Sequence, residues 1–326
     1  MAEESTLPNR RDLLAYLQRV RILEDPVDGE ALLTADARSE LEKYVRHHLK
    51  SAELSLAMLA RYVSTDGSTG GRAPRVLELG GAPYYFSTLM HHVFHAELTA
   101  ANVQAGAWPG DAPTITRGQV LLNVPEGTAK KSPDLRLPIE VRVFNIEKDP
   151  FPFADDTFDV VLCMEVLEHL GYSPSHMLAE AHRVLKPGGL MFITVPNFIN
   201  LKRTVNMLFN RPCGYPYSGY GIYGRHQREY APFEVAALLE ACHYQVSALE
   251  TANVWPTFRG NPIKGLGNAL LNAVGKLPLP WTVAKREYIL CAARAYGTPV
   301  VAYPAWLYEH RTLYPKPPNG VPASFD

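Results

Sequence analysis

Apolar positions follow two different periods along the chain, and the change comes near residue 75. Before it, apolar residues recur at three- and four-residue spacing over 11–20 and 37–62, which predicts two amphipathic helices. A Gly/Ser/Thr-rich stretch at 64–74 then separates this part from the rest of the chain. We therefore predict a helical cap over residues 1–70.

After residue 75, short apolar runs alternate with helical patterns. The runs predict strands at 75–79, 96–101, 139–144, 158–163, 190–195, 244–249 and 287–293. Helical patterns follow the first strand and recur at 175–185 and 232–241. This alternation is typical of an open α/β sheet with helices on both faces. We predict a mostly parallel seven-stranded sheet in a domain spanning 71–296.

Two long insertions and a tail interrupt or follow this pattern. Residues 103–138, rich in Gly and Pro, lie between the second and third strands, and their length fits a lid or the contact of a homo-oligomer. Residues 197–230 follow the fifth strand and carry tyrosines among glycines, as binding loops do. The Pro-rich tail, 297–326, predicts extended chain.

Composition narrows the class of protein. The 32 basic and 33 acidic side chains leave no basic excess, so we expect no nucleic-acid partner. The four cysteines form no CxxC pair, and no uninterrupted apolar run is long enough to span a membrane. With a polar start, these features predict a cytoplasmic protein with reduced thiols. His91, His92 and His95 have no acidic partner at a motif spacing, so we expect no metal site.

The end of the first predicted strand carries the first chemical signal. Ligands of open parallel sheets bind at the carboxyl ends of strands, and Gly80 and Gly81 let a ligand approach the backbone there. The carboxylate of Glu78 favours a ligand with an ammonium group over a pyrophosphate. Ala82 and Tyr85 break the GxGxxG pattern. A nicotinamide-dependent oxidoreductase is therefore the weaker alternative.

Three blocks further along carry a family resemblance. They are PFADDTFDVV at 152–161, EVLEHL at 165–170 and RVLKPGG at 183–189. In this order and spacing they resemble the class I S-adenosylmethionine-dependent methyltransferases, particularly the ubiquinone-type and glycan-locus enzymes, over about residues 75–250. The resemblance implies a Rossmann-like fold, S-adenosylmethionine as cofactor and S-adenosylhomocysteine as product.

The resemblance also implies which positions hold the cofactor. They are Glu78, Gly80, Gly81, Ala82, Tyr84, Asn102, Asn145, Ile146, Cys163 and Glu165. Ala82 and Tyr84 replace family glycines, and Tyr84 would pack over the cofactor or narrow its pocket. Asn102 stands where an acid usually binds the ribose hydroxyls and would bind them without charge. These departures favour the alternative of a catalytically silent cofactor-binding or scaffold protein.

The acceptor side is predicted from a second stretch, 223–230, which resembles an H-x-R-E-Y segment of glycan-locus enzymes. Its His226 is the predicted general base, since histidine exchanges protons near neutral pH. The predicted substrate contacts are His169, Tyr223, Arg225, Arg228 and Tyr230, with His169 the second choice for the base. The structural alternative is a polar start to the helix at 232, with Arg228 and Glu229 pairing locally.

The resemblance implies a methyltransferase, and we expect it to modify a hydroxyl of a sugar, a glycan or a related small polar metabolite. The glycan preference rests on the H-x-R-E-Y segment and on the PAWLY element at 304–308. N- or C-methylation of a natural product is the alternative within the enzyme class.

Overall fold

The computed structural model describes residues 7–26, 35–63, 72–103, 116–127, 132–213, 225–254, 273–274, 283–304 and 307. The helices are α1 (Arg10–Leu17), α2 (Ala35–Leu59), α3 (Tyr85–Phe94), α4 (Ser175–Val184), α5 (Leu201–Leu208) and α6 (Pro232–Ala241). The strands are β1 (Arg21–Glu24), β2 (Arg75–Leu79), β3 (Glu97–Asn102), β4 (Arg117–Pro125), β5 (Asp134–Val143), β6 (Phe158–Met164), β7 (Leu185–Pro196), β8 (Tyr244–Ala252) and β9 (Tyr288–Ala295). Among the described helices, none is long and apolar enough to cross a membrane.

The strands form one sheet in the order β1-β4-β5-β3-β2-β6-β7-β9-β8. Five central strands, β5, β3, β2, β6 and β7, are parallel, with Leu77 of β2 opposite Thr99 on one side and Val161 on the other. β9 is antiparallel to both of its neighbours, β7 and β8. The strand order reverses at β2, where a ligand crevice is expected. The predicted Rossmann-like α/β fold is confirmed.

The prediction of seven strands is wrong, because the described part of the chain forms nine. The added strands come from segments predicted as cap and loop: β1 follows α1 and pairs with β4, with Ile22 opposite Leu122. β4 lies inside the first insertion and buries every second residue, Val120, Leu122 and Val124, against the sheet. β1 is short and mostly exposed, so it has no apolar alternation by which it could be recognised. The second insertion contributes α5.

Helices cover both faces of the sheet over two hydrophobic clusters. One face packs Leu13, Tyr16, Leu49, Leu56, Leu89 and Phe94 of α1, α2 and α3 against Val76, Val141, Val160 and Phe192. The other packs Met177, Leu178, Val184, Val235 and Leu239 of α4 and α6 against Leu77, Val161, Met191 and Ile193. Because alternate strand residues point to opposite faces and helices cover both, β6 and β7 are mostly apolar on both faces. The N-terminal helices therefore pack directly on the sheet.

The tail begins as extended chain on the second face. Residues 296–304 contain no helix or strand, and Ser175 of α4 donates a hydrogen bond to the carbonyl oxygen of Ala302 at 2.7 Å. His182 and His243 contact the carbonyl oxygens of Tyr296 and Thr298. These contacts hold the described start of the tail beside α4 and α6.

Candidate active site

The loop after β2 makes a sharp turn that brings backbone to the crevice. Gly80 has a φ of +66°, and its N–H donates to the carbonyl oxygen of Ala101 in β3 at 2.7 Å. A Cβ on Gly80 would lie 2.7 Å from Cγ2 of Val166, and one on Gly81 would lie 3.1 Å from Cβ of Ala100. The two predicted glycines are thus required by conformation and by close approach.

Substituting Gly80 with alanine tests this turn, with Gly188→Ala as the matched control. Both glycines have positive φ, but a Cβ on Gly188 meets nothing within 4 Å. We expect Gly188→Ala to lower the free energy of unfolding by about 1 kcal/mol, the conformational cost alone. Gly80→Ala should cost about 2–3 kcal/mol, since the stiff side chain of Val166 must also move. Denaturant unfolding measures both, and equal losses would contradict the steric contribution.

Glu78 is a buried carboxylate beside that turn. It is 6% exposed, and the hydroxyl of Ser87 in α3 donates a hydrogen bond to Oε2. Burial raises the pKa of Glu78 to about 7. A cation that enters the crevice would stabilise the ionised form of this carboxyl. The site therefore suits a ligand with an ammonium or sulfonium group.

Tyr84 and Asn102, the two departures from the family pattern, contact one another. Tyr84 is fully buried with a φ of +66°, and Asn102 Nδ2 donates to its phenol oxygen at 2.8 Å. Asn102 Oδ1 accepts a long hydrogen bond, 3.4 Å, from the N–H of Ala82. The asparagine therefore ties β3 to the loop after β2, and an acid at this position would lack the N–H that Tyr84 receives.

Two cavities at the carboxyl ends of the parallel strands share Gly80 and Glu165. The first, which we call the strand-end cavity, is lined by Gly80, Ala101, Asn102, Val103, Phe144, Asn145, Ile146, Glu147, Glu165, Val166, His169 and Leu170. The second, the helix-covered cavity, is lined on the sheet side by Glu78, Gly80, Gly81, Ala82, Met164, Glu165 and Tyr288. Together they bring eight of the ten predicted cofactor residues to one crevice. Tyr84 and Cys163 line neither cavity and are fully buried.

The helix-covered cavity is lined on one side by α2, which lies in the segment predicted as a helical cap. Tyr44, His48 and Ser51 line it from this helix, and the rings of Tyr44 and His48 lie 4.3 Å apart between centroids. Burial, with a smaller effect of His47, lowers the pKa of His48 to about 4, so its ring is neutral at pH 7. The N-terminal helix thus adds aromatic and polar groups that local pattern could not assign to a site.

Glu165 lies where the cavities meet, in an unusual conformation. Its φ is +55°, a strained value for a residue with a side chain, and its half-buried side chain has Oε1 out of contact with solvent. Burial raises the pKa of Glu165 to about 8, although a hydrogen bond from Tyr288 opposes the shift. With Glu78, two carboxyls of raised pKa therefore face the crevice.

Glu168, His169 and His226 form a cluster behind Glu165, which we call the Glu–His–His cluster. Nε2 of each histidine lies 4.0 Å from Oε1 of Glu168, and the two rings meet edge to face at 4.9 Å. Glu168 is 0% exposed, and neither of its carboxylate oxygens has a hydrogen-bond partner among the described residues. Burial raises the pKa of Glu168 well above its ordinary value, and Glu165 adds to this shift. Sequence reasoning gave Glu168 no role, although its EVLEH context was visible.

The outer nitrogens of both histidines are held in place. His226 Nδ1 contacts Glu229 Oε1 at 2.9 Å, and Glu229 also pairs with Arg203 of α5. His169 Nδ1 lies 3.0 Å from the carbonyl oxygen of Arg225. The predicted base is thus only 7% exposed at its side chain and lines neither cavity, whereas His169 lines the strand-end cavity.

The other predicted acceptor contacts divide between core and surface. Tyr230 is 2% exposed and its carbonyl oxygen accepts from the N–H of Phe198. Arg228 is half exposed and donates to Glu234 at 2.9 Å, while the Nε atom of Arg225 is buried without a hydrogen-bond partner among the described residues. Tyr223 and the tyrosines at 215–220 lie outside the described residues, as do Trp306 and Tyr308.

Comparisons with known proteins find similarity to methyltransferases over part of the chain. Residues 121–193 match the family described as "Methyltransferase domain". A probable S-adenosylmethionine-dependent methyltransferase of Mycolicibacterium smegmatis is 30% identical over 108 residues, which are 33% of this chain and 36% of that protein. A ubiquinone biosynthesis O-methyltransferase of Parvibaculum lavamentivorans is 50% identical over 44 residues, 14% of this chain and 17% of that protein.

The match to each relative is partial. The chain spans about a third or less of the length of the curated relatives it matches. Among solved structures, a SAM-dependent methyltransferase from Archaeoglobus fulgidus is 16% identical, with a TM-score of 0.43 over 78% of this chain and 98% of that one. The fold assignment rests on the strand order described above.

Proposed function

We propose that this chain is a class I methyltransferase, that it binds S-adenosylmethionine at the two cavities and that it methylates a hydroxyl of a sugar, glycan or related small polar molecule. The observation that carries this proposal is the gathering of Glu78, Gly80, Asn102, Asn145 and Glu165 at the carboxyl ends of four neighbouring strands. These residues were predicted from separate motifs, and local sequence alone does not require them to meet.

Each end of the cofactor has suitable partners in the crevice. The buried acid Glu78 suits the ammonium of the methionine part, and the backbone at Gly80 and Gly81 is open to close approach. Asn102 and Asn145 offer amide groups in the strand-end cavity, where the ribose hydroxyls and adenine would be bound. Glu165, between the cavities, is a carboxyl whose ionised form a nearby sulfonium would stabilise.

Methyl transfer places one demand on the protein beyond positioning. The acceptor oxygen forms a bond to the methyl carbon while the carbon–sulfur bond breaks, its electron pair stays on sulfur, and the hydroxyl proton must leave. We propose that the helix-covered cavity orients the acceptor through Tyr44 and His48. His169 lines the strand-end cavity and its ring meets that of His226, which Glu229 holds, so we propose that His226 promotes loss of the proton through His169, typically a contribution of about 10²- to 10⁴-fold.

A ligand titration tests the cofactor. S-adenosylhomocysteine binds the native state only, so at 100 times its Kd it should stabilise the protein by about 2.7 kcal/mol and raise its Tm. NADH should leave the Tm unchanged. A shift with neither ligand would favour the silent-scaffold alternative, and a shift with NADH alone would favour an oxidoreductase.

The acceptor is tested separately, with labelled S-adenosylmethionine and panels of sugars, glycans, phenols and amines. We expect label on an oxygen of a polyhydroxylated acceptor, located by mass spectrometry and NMR. Label on nitrogen or carbon would replace the O-methyl assignment by the N- or C-methyl alternative and leave the cofactor assignment intact.

A further inference from the structure

A third cavity lies between α1, β1 and α2, beside the helix-covered cavity. We propose that it binds a short aliphatic substituent of the acceptor, a role that rests on the proposed function. The third cavity, which we call the α1–α2 cavity, has six apolar or aromatic side chains in its described lining, those of Leu17, Val20, Ile22, Leu41, Val45 and Tyr85. This part of the chain was predicted as a helical cap, without a binding role.

The α1–α2 cavity and the helix-covered cavity share one wall. Leu17 of α1, Val45 of α2 and Tyr85 at the start of α3 line both of them. Leu17 and Val45 are buried, whereas Tyr85 is half-buried. A substituent that passes along the ring of Tyr85 therefore reaches the α1–α2 cavity from an acceptor held beside Tyr44 and His48.

The walls of the α1–α2 cavity are apolar, and its charged residues are exposed. Val20 is buried and Leu41 is half-buried, whereas Arg21 and Glu42 are exposed. The guanidinium of Arg21 donates hydrogen bonds to the carbonyl oxygens of Gln18 and Val20 at 2.6 and 2.8 Å, and so fixes the turn between α1 and β1. One charge of each sign favours neither an anion nor a cation. The apolar walls favour an aliphatic group.

The volume of the α1–α2 cavity limits the size of that group. It is about 90 Å³. An apolar cavity of roughly 150 Å³ takes up benzene, so this one is too small for an aromatic ring. At roughly 30 Å³ for a group of the size of water, it has room for about three methylene groups. The expected acceptor is therefore amphipathic, with a hydroxylated head in the helix-covered cavity and a short alkyl tail beyond Tyr85.

Binding of the alkyl tail is tested first, without methyl transfer. The probes are ethanol, n-propanol and n-butanol, titrated into the full chain with ¹³C-labelled Ile, Leu and Val methyl groups. We expect saturable NMR shifts at the methyl groups of Ile22 and Leu41. The affinity should rise about fourfold for each added methylene group, which corresponds to about 0.8 kcal/mol.

Leu41→Phe is the decisive variant, because Leu41 lines the α1–α2 cavity and does not line the helix-covered cavity. The larger ring should fill the space, so the shift at Ile22 and the gain per methylene group should be lost. Leu23→Phe is the matched control, since Leu23 is exposed and lines neither cavity. If Leu41→Phe fails to fold, Leu41→Ala gives the opposite test: the enlarged cavity should let the affinity keep rising beyond n-butanol.

Transfer is then measured with labelled S-adenosylmethionine and glycosides that differ only in a methyl, propyl or butyl aglycone. We expect kcat/KM to rise with chain length in the wild type and in Leu23→Phe, and to stay at the methyl-glycoside value in Leu41→Phe. Absence of saturable shifts at Ile22 and Leu41, or a rise with chain length that Leu41→Phe leaves unchanged, overturns the binding site.

The remaining outcomes separate this site from the proposed function. Alcohol binding combined with transfer that is independent of chain length overturns the role of the cavity for the acceptor. Alcohol binding without transfer to any acceptor keeps the cavity as a site for aliphatic groups and removes the proposed function. Transfer without alcohol binding and without a rise with chain length removes the site and keeps the function.

Discussion

Glu78→Gln should weaken binding of S-adenosylhomocysteine by about 100-fold, because truncating one partner of a buried charge pair costs about 2–5 kcal/mol. The glutamine keeps the size of the side chain and an oxygen that accepts from Ser87. It removes the negative charge that we assign to the ligand's ammonium group. Calorimetric titration at pH 8 measures the change, and unchanged affinity would remove Glu78 from the site.

The same substitution should stabilise the unliganded protein. The pKa of Glu78 is 4.5 as an ordinary glutamate and about 7 in the fold, so the unfolded chain ionises first as pH rises. The carboxyl therefore lowers stability progressively from about pH 4.5 to pH 7 and by a constant amount above that. A shift of this size corresponds to about 3 kcal/mol, which glutamine would restore at pH 8.

A pair of pH values and one control make this stability measurement specific. The gain from Glu78→Gln should be near 3 kcal/mol at pH 8 and below about 1 kcal/mol at pH 5, which lies only half a unit above the pKa of 4.5 in the unfolded chain. Glu97→Gln, at an exposed position of the neighbouring β3, should change stability at neither pH by a comparable amount. An equal gain at both pH values would contradict the buried-charge explanation.

His226→Ala should lower kcat by about 10²- to 10⁴-fold while the affinity for S-adenosylhomocysteine stays the same. The affinity should stay the same because His226 lines neither cavity. Turnover should fall because we propose His226 as the proton acceptor behind His169. Steady-state kinetics together with a ligand titration separate the two quantities.

A structural role for His226 would give a different result. If the histidine only supports the pairing of Glu229 with Arg203, then Glu229→Gln should reduce stability as much as His226→Ala, and His226→Gln should restore turnover. His176→Gln serves as the control for loss of a histidine at the surface. Retained turnover in His226→Ala would require another proton acceptor, and His48 would then be the first candidate.

The strands of the central sheet could be predicted because their own sequences indicate burial and their ends carry turn residues. The continuous apolar run of β6 and the turn of Gly188 and Gly189 before the buried part of β7 need no distant partner to be recognised. β1 and α5 were missed for the opposite reason. β1 is mostly exposed, and it forms a strand because it pairs with the edge of β4. Such an element is decided by tertiary pairing rather than by its own pattern.

The same distinction applies to the site. Glu78 and Gly80 could be assigned because strand end and turn are adjacent in sequence. His226 and Glu168 are 58 positions apart, and only the fold brings Nε2 within 4.0 Å of the carboxylate. The contact between Tyr84 and Asn102 is similar. In the sequence each residue is a separate departure from the family pattern, and only the fold shows the hydrogen bond between them.

The helix-covered cavity is lined by two separate parts of the chain, the sheet and α2. The groups assigned to the cofactor belong to the sheet, whereas Tyr44, His48 and Ser51 belong to a helix that precedes the first central strand. If α2 orients the acceptor as we propose, selectivity for the acceptor can change through this helix without disturbing the cofactor crevice. A chimera that exchanges this helix between relatives would keep the chemistry and change the molecule on which it acts.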